Sequence, residues 1–141
     1  MKVLAVDNRP DRLKELAACL QTAFPGAEIV EFTAPGLAVQ YSFKNHVDVV
    51  FTEQAMRRLD GIQVAEGIHF FRPEAMIYLI TAAGAQTRNT AHRDIIGCFT
   101  RPLIAEDIRK RILADHEIWE RRLRTKCFFI PNNSKPRGDE L

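Results

Sequence analysis

The chain has 141 residues, 46% of them hydrophobic and 27% charged, which is enough apolar content for one domain around one buried core. Its formal charge of +2 is too small to argue for nucleic acid or a membrane surface as partner, and no apolar run approaches the roughly 18 residues of a membrane-spanning helix. Cys19, Cys98 and Cys127 are widely spaced and form no Cys-x-x-Cys pair, which argues against a disulfide scaffold or zinc ribbon and fits a reducing cytoplasm.

The N-terminal MKVLAVD reads as a strand rather than a secretory signal, with Asp7 closing the apolar run Val3 to Val6. Pro10 suits the first turn of a helix, where its missing N–H is not needed. Leu13, Leu16, Ala17, Leu20, Ala23 and Phe24 then recur at helical spacing until Pro25-Gly26. Ala27 to Thr33 is the second expected strand, followed by a helix opening at Pro35 and carrying Leu37, Ala38 and Tyr41. Val47 to Thr52 is short, β-branched and aromatic, as a strand covered on both faces should be, and Glu53 stands at its mouth. Ile62, Ala65, Ile68 and His69 mark a helix stopped by Pro73.

The fourth expected strand, Met76 to Ile80, is closed by Thr81. A short helix near Ala85 to His92 leads to the fifth, Ile95 to Thr100, which Arg101-Pro102 follows. A last helix begins near Ala105 and is expected to run to about Lys126. Beyond it lie an apolar patch, Cys127 to Pro131, and a polar stretch to Leu141. The expected organisation is one domain over 1–126 with an extended C-terminal helix, then a partly disordered tail over 127–141.

Five strands alternating with five helices predict an α/β fold with a parallel sheet and right-handed crossovers. Ligands and chemistry collect outside the carboxyl ends of such strands. Asp7, Glu53, Thr81 and Arg101 are therefore expected at one edge of the sheet. Singly, each has a plainer reading. Glu53 or Thr81 could cap a helix, Arg101-Pro102 could mark a bend, and Cys98 could be a small buried hydrophobe. His46, His69, His92 and His116 show no ligand spacing, so no metal site is expected from them.

Taken together, VDN, DVVFTE, LDG, ITA and FTRP resemble, in order and spacing, the receiver domain of two-component response regulators, over roughly Met1 to Leu113. The resemblance implies a flavodoxin-like, doubly wound sheet of order 2-1-3-4-5. It also implies a pocket in which an Asp takes a phosphoryl group from a histidine kinase with the help of Mg²⁺.

Carried over by residue, that pocket is altered. Glu53 stands at the phosphoaccepting Asp, and its extra methylene moves the carboxylate by about 1.5 Å. A misplacement of about 1 Å can lower a rate on the order of a hundredfold. Asp7 matches the first of two metal-binding acids, but Asn8 replaces the second and Arg9 adds a cation beside it. Arg101 replaces a Lys, Arg57-Arg58 replace the Pro-Gly before Leu59-Asp60-Gly61, and Cys98 takes the place of an aromatic switch residue, whereas Thr81 is retained.

The expectation is an atypical, single-domain cytoplasmic receiver that is not an enzyme. Its vestigial pocket is Glu53, Asp7, Asn8, Thr81 and Arg101, Mg²⁺ binding is weak or lost, and Glu53 pairs with Arg101. Two alternatives stand beside it: a receiver that still accepts phosphate inefficiently, and a flavodoxin-like nucleotide or flavin binder. The turn Asp7-Asn8-Arg9-Pro10 lacks the glycines that the last of these needs.

Arg109, Lys110, Arg111, Arg121, Arg122, Arg124 and Lys126 make the last helix basic, but Glu106, Asp107, Asp115, Glu117 and Glu120 are interleaved, as on an ion-paired helix face. Ile108, Ile112, Trp119 and Leu123 form one stripe. Ile112, Trp119 and Leu123 are expected to form a homodimer or partner face, the partner being a histidine kinase or a downstream effector rather than nucleic acid or membrane.

Overall fold

The computed structural model describes residues 1–82 and 92–129, and of Trp119 and residues 122–129 it describes the backbone alone. The elements run β1 (Lys2–Val6), α1 (Pro10–Ala23), β2 (Glu28–Phe32), α2 (Pro35–Lys44), β3 (Val49–Glu53), α3 (Gly61–Phe71), β4 (Met76–Thr81), β5 (Gly97–Thr100) and α4 (Ala105–Phe129). The five strands form one sheet of order β2-β1-β3-β4-β5, parallel throughout. The order reverses at β1, which sends successive crossovers to opposite faces and opens a crevice at the carboxyl ends of β1 and β3. The expected helix near Ala85 lies outside the described residues.

Strand boundaries differ from the apolar runs for local reasons. Val47 is buried, yet β3 starts at Val49 because Asp48 is engaged by β1. Its N–H donates to the Lys2 carbonyl at 3.0 Å, and its Oδ2 accepts from the Lys2 N–H at 2.8 Å. Likewise Ile95 closes a turn onto the His92 carbonyl before the ladder begins.

α1 inserts Leu13, Leu16, Ala17, Leu20 and Ala23 into the core, the stripe its periodicity predicts. The other face of the sheet is covered by α2 and α3, whose Val64, Ala65 and Ile68 join Leu4, Val50, Ile77 and Leu79 in one cluster. Only Ala38 and Ser42 of α2 are buried. Leu37 is 54% exposed.

Across β3, β4 and β5 the rings of Phe51, Tyr78 and Phe99 form a row, with 5.5 Å between Phe51 and Tyr78 and 5.5 Å between Tyr78 and Phe99. Two compact units are distinguished, Met1–Arg109 and Lys110–Leu141. α4 extends to Phe129, past the expected end at Lys126, so Cys127 and Phe128 continue the helix. Its interleaved charges pair at i, i+4: Arg111 with Asp115 at 2.7 Å and Arg121 with Glu117 at 2.8 Å.

Candidate functional site

The carboxyl ends of β1 and β3 hold two acids side by side. In the register of these strands Val3 lies beside Val49 and Ala5 beside Phe51. The two-residue alternation therefore places Asp7 and Glu53 on the same face, one step beyond. Both are buried, Asp7 completely and Glu53 to 3% exposure. Glu53 is the last residue of β3 and stays in register with Ile80 of β4.

The backbone beneath Glu53 is tightly constrained. Gly61 opens α3, and its N–H donates to the Gln54 carbonyl at 2.9 Å. A Cβ at Gly61 would lie 2.5 Å from the Glu53 carbonyl oxygen and 2.9 Å from Leu79 Cδ2. Only a residue without a side chain lets α3 begin this close to the strand. Asp60 fixes that start with a capping box, its Oδ1 accepting from the Gln63 N–H at 2.8 Å while the Gln63 side chain accepts from the Asp60 N–H at 2.9 Å.

Arg101, just after β5, closes the site. Its Nη1 lies 2.5 Å from Glu53 Oε1, and its Nη2 donates to Asp7 Oδ2 at 3.0 Å. The guanidinium is itself largely buried, with 17% of its side chain exposed. One planar cation thus bridges two carboxylates, which a point-charge ammonium could not do with the same pair of donors. The Glu53 contact is a close ion pair without hydrogen-bond alignment, as Glu53 Oε1 and Arg101 Nη1 have no aligned partner.

Asp7 also accepts from the Arg9 N–H at 3.0 Å through Oδ1. Burial pushes the Asp7 carboxyl above its ordinary value; the charge of Glu53 acts in the same direction, while the Arg9 N–H and the Arg101 guanidinium oppose it.

The side chains of the other expected site residues make other contacts, although the Arg101 N–H donates to the Thr81 carbonyl at 3.0 Å. Thr81 is buried at the end of β4, where its hydroxyl pairs with that of Thr100 at 3.3 Å rather than with an acid. Thr100 directly precedes Arg101, a proximity that was visible in the chain. Asn8 lines a separate cleft with Arg57 and Arg58. Cys98 is half-buried and packs against the α2–α3 side of the core. Of the proposed outer stripe, Ile112 is 2% exposed and so offers nothing to a partner. The side chains of Trp119 and Leu123 lie outside the described residues. Among the described residues the large exposed apolar side chains at this end of the chain are Ile104, Leu113 and Ile118, which the stripe did not include.

Among the described residues no group of three or more His, Cys, Asp or Glu side chains is arranged to hold a metal ion, and no helix is long and apolar enough to cross a membrane. Histidines pair locally, as His69 does with buried Asp94 at 2.9 Å.

The family model for the response regulator receiver domain matches residues 3–113. The chain belongs to this family. As a receiver it is a module of two-component signalling, a class that acts by signalling rather than by turnover. Solved structures share its fold. A response regulator receiver domain from Clostridium thermocellum superposes with a TM-score of 0.68 at 22% identity, over 86% of this chain and 97% of that one. A response regulator receiver domain protein from Methanospirillum hungatei JF-1 gives 0.69 at 18%, over 85% and 97%. An uncharacterised protein from Neptuniibacter caesariensis gives 0.72 at 19%, over 96% of each chain. No curated protein matches this receiver significantly.

Proposed function

We propose that this receiver is an atypical one, in which Glu53 occupies the phosphoacceptor position and works as a permanent partner of Arg101. The bridge from Arg101 to both Glu53 and Asp7 carries this reading. In a phosphorylatable receiver a cation contacts the phosphoryl group only after transfer. Here the cation is already committed to the carboxylates that transfer would use.

The donor set fits Mg²⁺ poorly. A hard dication needs free carboxylate oxygens, but Asp7 Oδ2 and Glu53 Oε1 face the guanidinium, and Asn8 brings no charge. The receiver acts through binding, holding one conformation where a typical receiver alternates between two. The partner class is a histidine kinase or a downstream effector. A cytoplasmic homodimer is the accompanying reading, supported by the exposed Leu113 and Ile118 of α4. Light scattering at high micromolar concentration tests it, and a monomer there refutes it.

Incubation with Mg²⁺ and acetyl phosphate followed by intact mass tests the central claim. The unmodified mass is expected, and a stoichiometric phosphoryl adduct overturns it. In parallel, Glu53→Gln should alter amide chemical shifts around Arg101 and Thr81. Unchanged shifts and unchanged partner binding would remove the idea that the pair sets the conformation.

A further inference from the structure

The least explained surface of the receiver lies on the outer side of α2 and α3. Leu37 is 54% exposed, Phe43 58% and Phe70 80%. Phe71 joins them, its ring 4.9 Å from that of Phe43 and 5.2 Å from that of Phe70. Isolated apolar side chains on a surface are ordinary, but three phenylalanine rings linked through Phe71 form a contiguous patch, and such patches mark interaction sites. Aromatic side chains are also the anchors that dominate interface energies.

The patch borders two clefts. One, of about 740 Å³, is lined by Leu37, Phe43, Lys44 and Phe71 among others. The second, of about 530 Å³, shares Leu37 and Gln40 with the first and is lined by Arg57 and Arg58. Among the described residues no Asp or Glu lines either cleft. Among the described residues neither arginine has an ion-pair partner, and residues 83–91 contain no acid. Among the described residues the surface is thus apolar in the middle and cationic at its ends, with no carboxylate lining its clefts.

We propose that this face docks a partner protein through a segment whose apolar side chains are flanked by Asp or Glu. Apolar anchors enter beside Phe43 and Phe71, and carboxylates meet Arg57, Arg58 and Lys44. A second copy of this chain is disfavoured as occupant, because a self-complementary contact would bring the same uncompensated cations together. The surface is independent of the Glu53–Arg101 pair, so either proposal can fail alone.

The test uses the isotope-labelled full chain and two synthetic peptides. They share leucines and phenylalanines at helical spacing and differ only in having Glu or Lys at the polar positions. The Glu peptide should shift the amides of Leu37, Phe43, Arg57 and Phe71, and the Lys peptide should bind at least tenfold more weakly. Phe43→Ser and, separately, Arg57→Glu with Arg58→Glu should each weaken the Glu peptide tenfold or more, with the circular dichroism spectrum unchanged. All these positions are exposed, so folding is not at stake. Equal binding of the two peptides, shifts elsewhere, binding of neither, or self-association abolished by Phe43→Ser each overturns the proposal.

Discussion

Arg101 Nη2 donates to Asp7 Oδ2 at 3.0 Å across a separation of 94 residues. The last strand is thereby tied to the first at the one rim where the sheet order reverses. Arg101 does not fully compensate the burial of Asp7, since burial dominates and holds the carboxyl above its ordinary 3.8. A carboxyl with a raised folded-state pKa binds its proton more tightly when folded, so its ionisation lowers stability as pH rises through the folded value. Asp7→Asn should therefore stabilise the receiver at pH 7 by on the order of 1 kcal/mol. The gain should vanish below the unfolded value, where both states are protonated. Thermal unfolding of both proteins at pH 7 and near pH 3 checks the sign; a gain that persists in acid is the wrong outcome.

If the pocket is silenced by three side chains rather than by the fold, reversing them together should reawaken it. Asn8→Asp, Glu53→Asp and Arg101→Lys in one protein should confer Mg²⁺-dependent modification by acetyl phosphate, visible as one added phosphoryl group in the intact mass. Glu53→Asp alone should react far less, because Arg101 would still bridge the carboxylates. Equal reactivity of the single and triple variants would remove the guanidinium from the explanation.

Gly61→Ala tests how firmly the floor of the site is set. The new methyl would meet the Glu53 carbonyl at 2.5 Å, so either α3 or the end of β3 must move. Overpacking of this kind lowers stability by about 1–3 kcal/mol. The loss should appear in urea denaturation, with chemical-shift changes centred on Glu53 and Gln54.

At the opposite end of the sheet, Asp48 behaves with the reverse sign. Burial opposes its ionisation, but the Lys2 N–H and His46 outweigh it and hold the carboxyl below 3.8. Such a group stabilises the fold above its unfolded pKa, and the contribution is lost as pH falls through the folded value. With 38% of the side chain exposed, solvent screening keeps the effect small. Asp48→Asn should lower stability at neutral pH by about 1 kcal/mol, and the difference should fade on acidification.

The sheet was readable in the chain because its strands are short β-branched runs ended by polar residues, and each run met a helix with unmistakable period. Asp7, Glu53 and Arg101 could be placed at one rim from that pattern alone. What the pattern could not supply was the partner of each group. Thr81 faces Thr100, because alternation along β4 turns it away from Glu53, a matter of register that periodicity does not fix. Leu37, Ala38 and Tyr41 marked the second helix but not its buried side. α2 needs only Ala38 and Ser42 against the sheet, and which side of a short, nearly uniformly apolar helix is buried is decided by packing. Ile112 was assigned outward from a stripe that could not show where the buried part of a long helix ends.

The Phe51–Tyr78–Phe99 row has a dynamic implication. Phe51 and Tyr78 are 0% exposed, so each ring must rotate about its Cβ–Cγ bond within the packed core. Each half-turn requires its neighbour to yield, and the barrier belongs to the row rather than to one residue. Slow, correlated aromatic flipping, seen as broadened ring resonances that sharpen together on warming, would make this stack an internal gauge of how rigidly three strands are held.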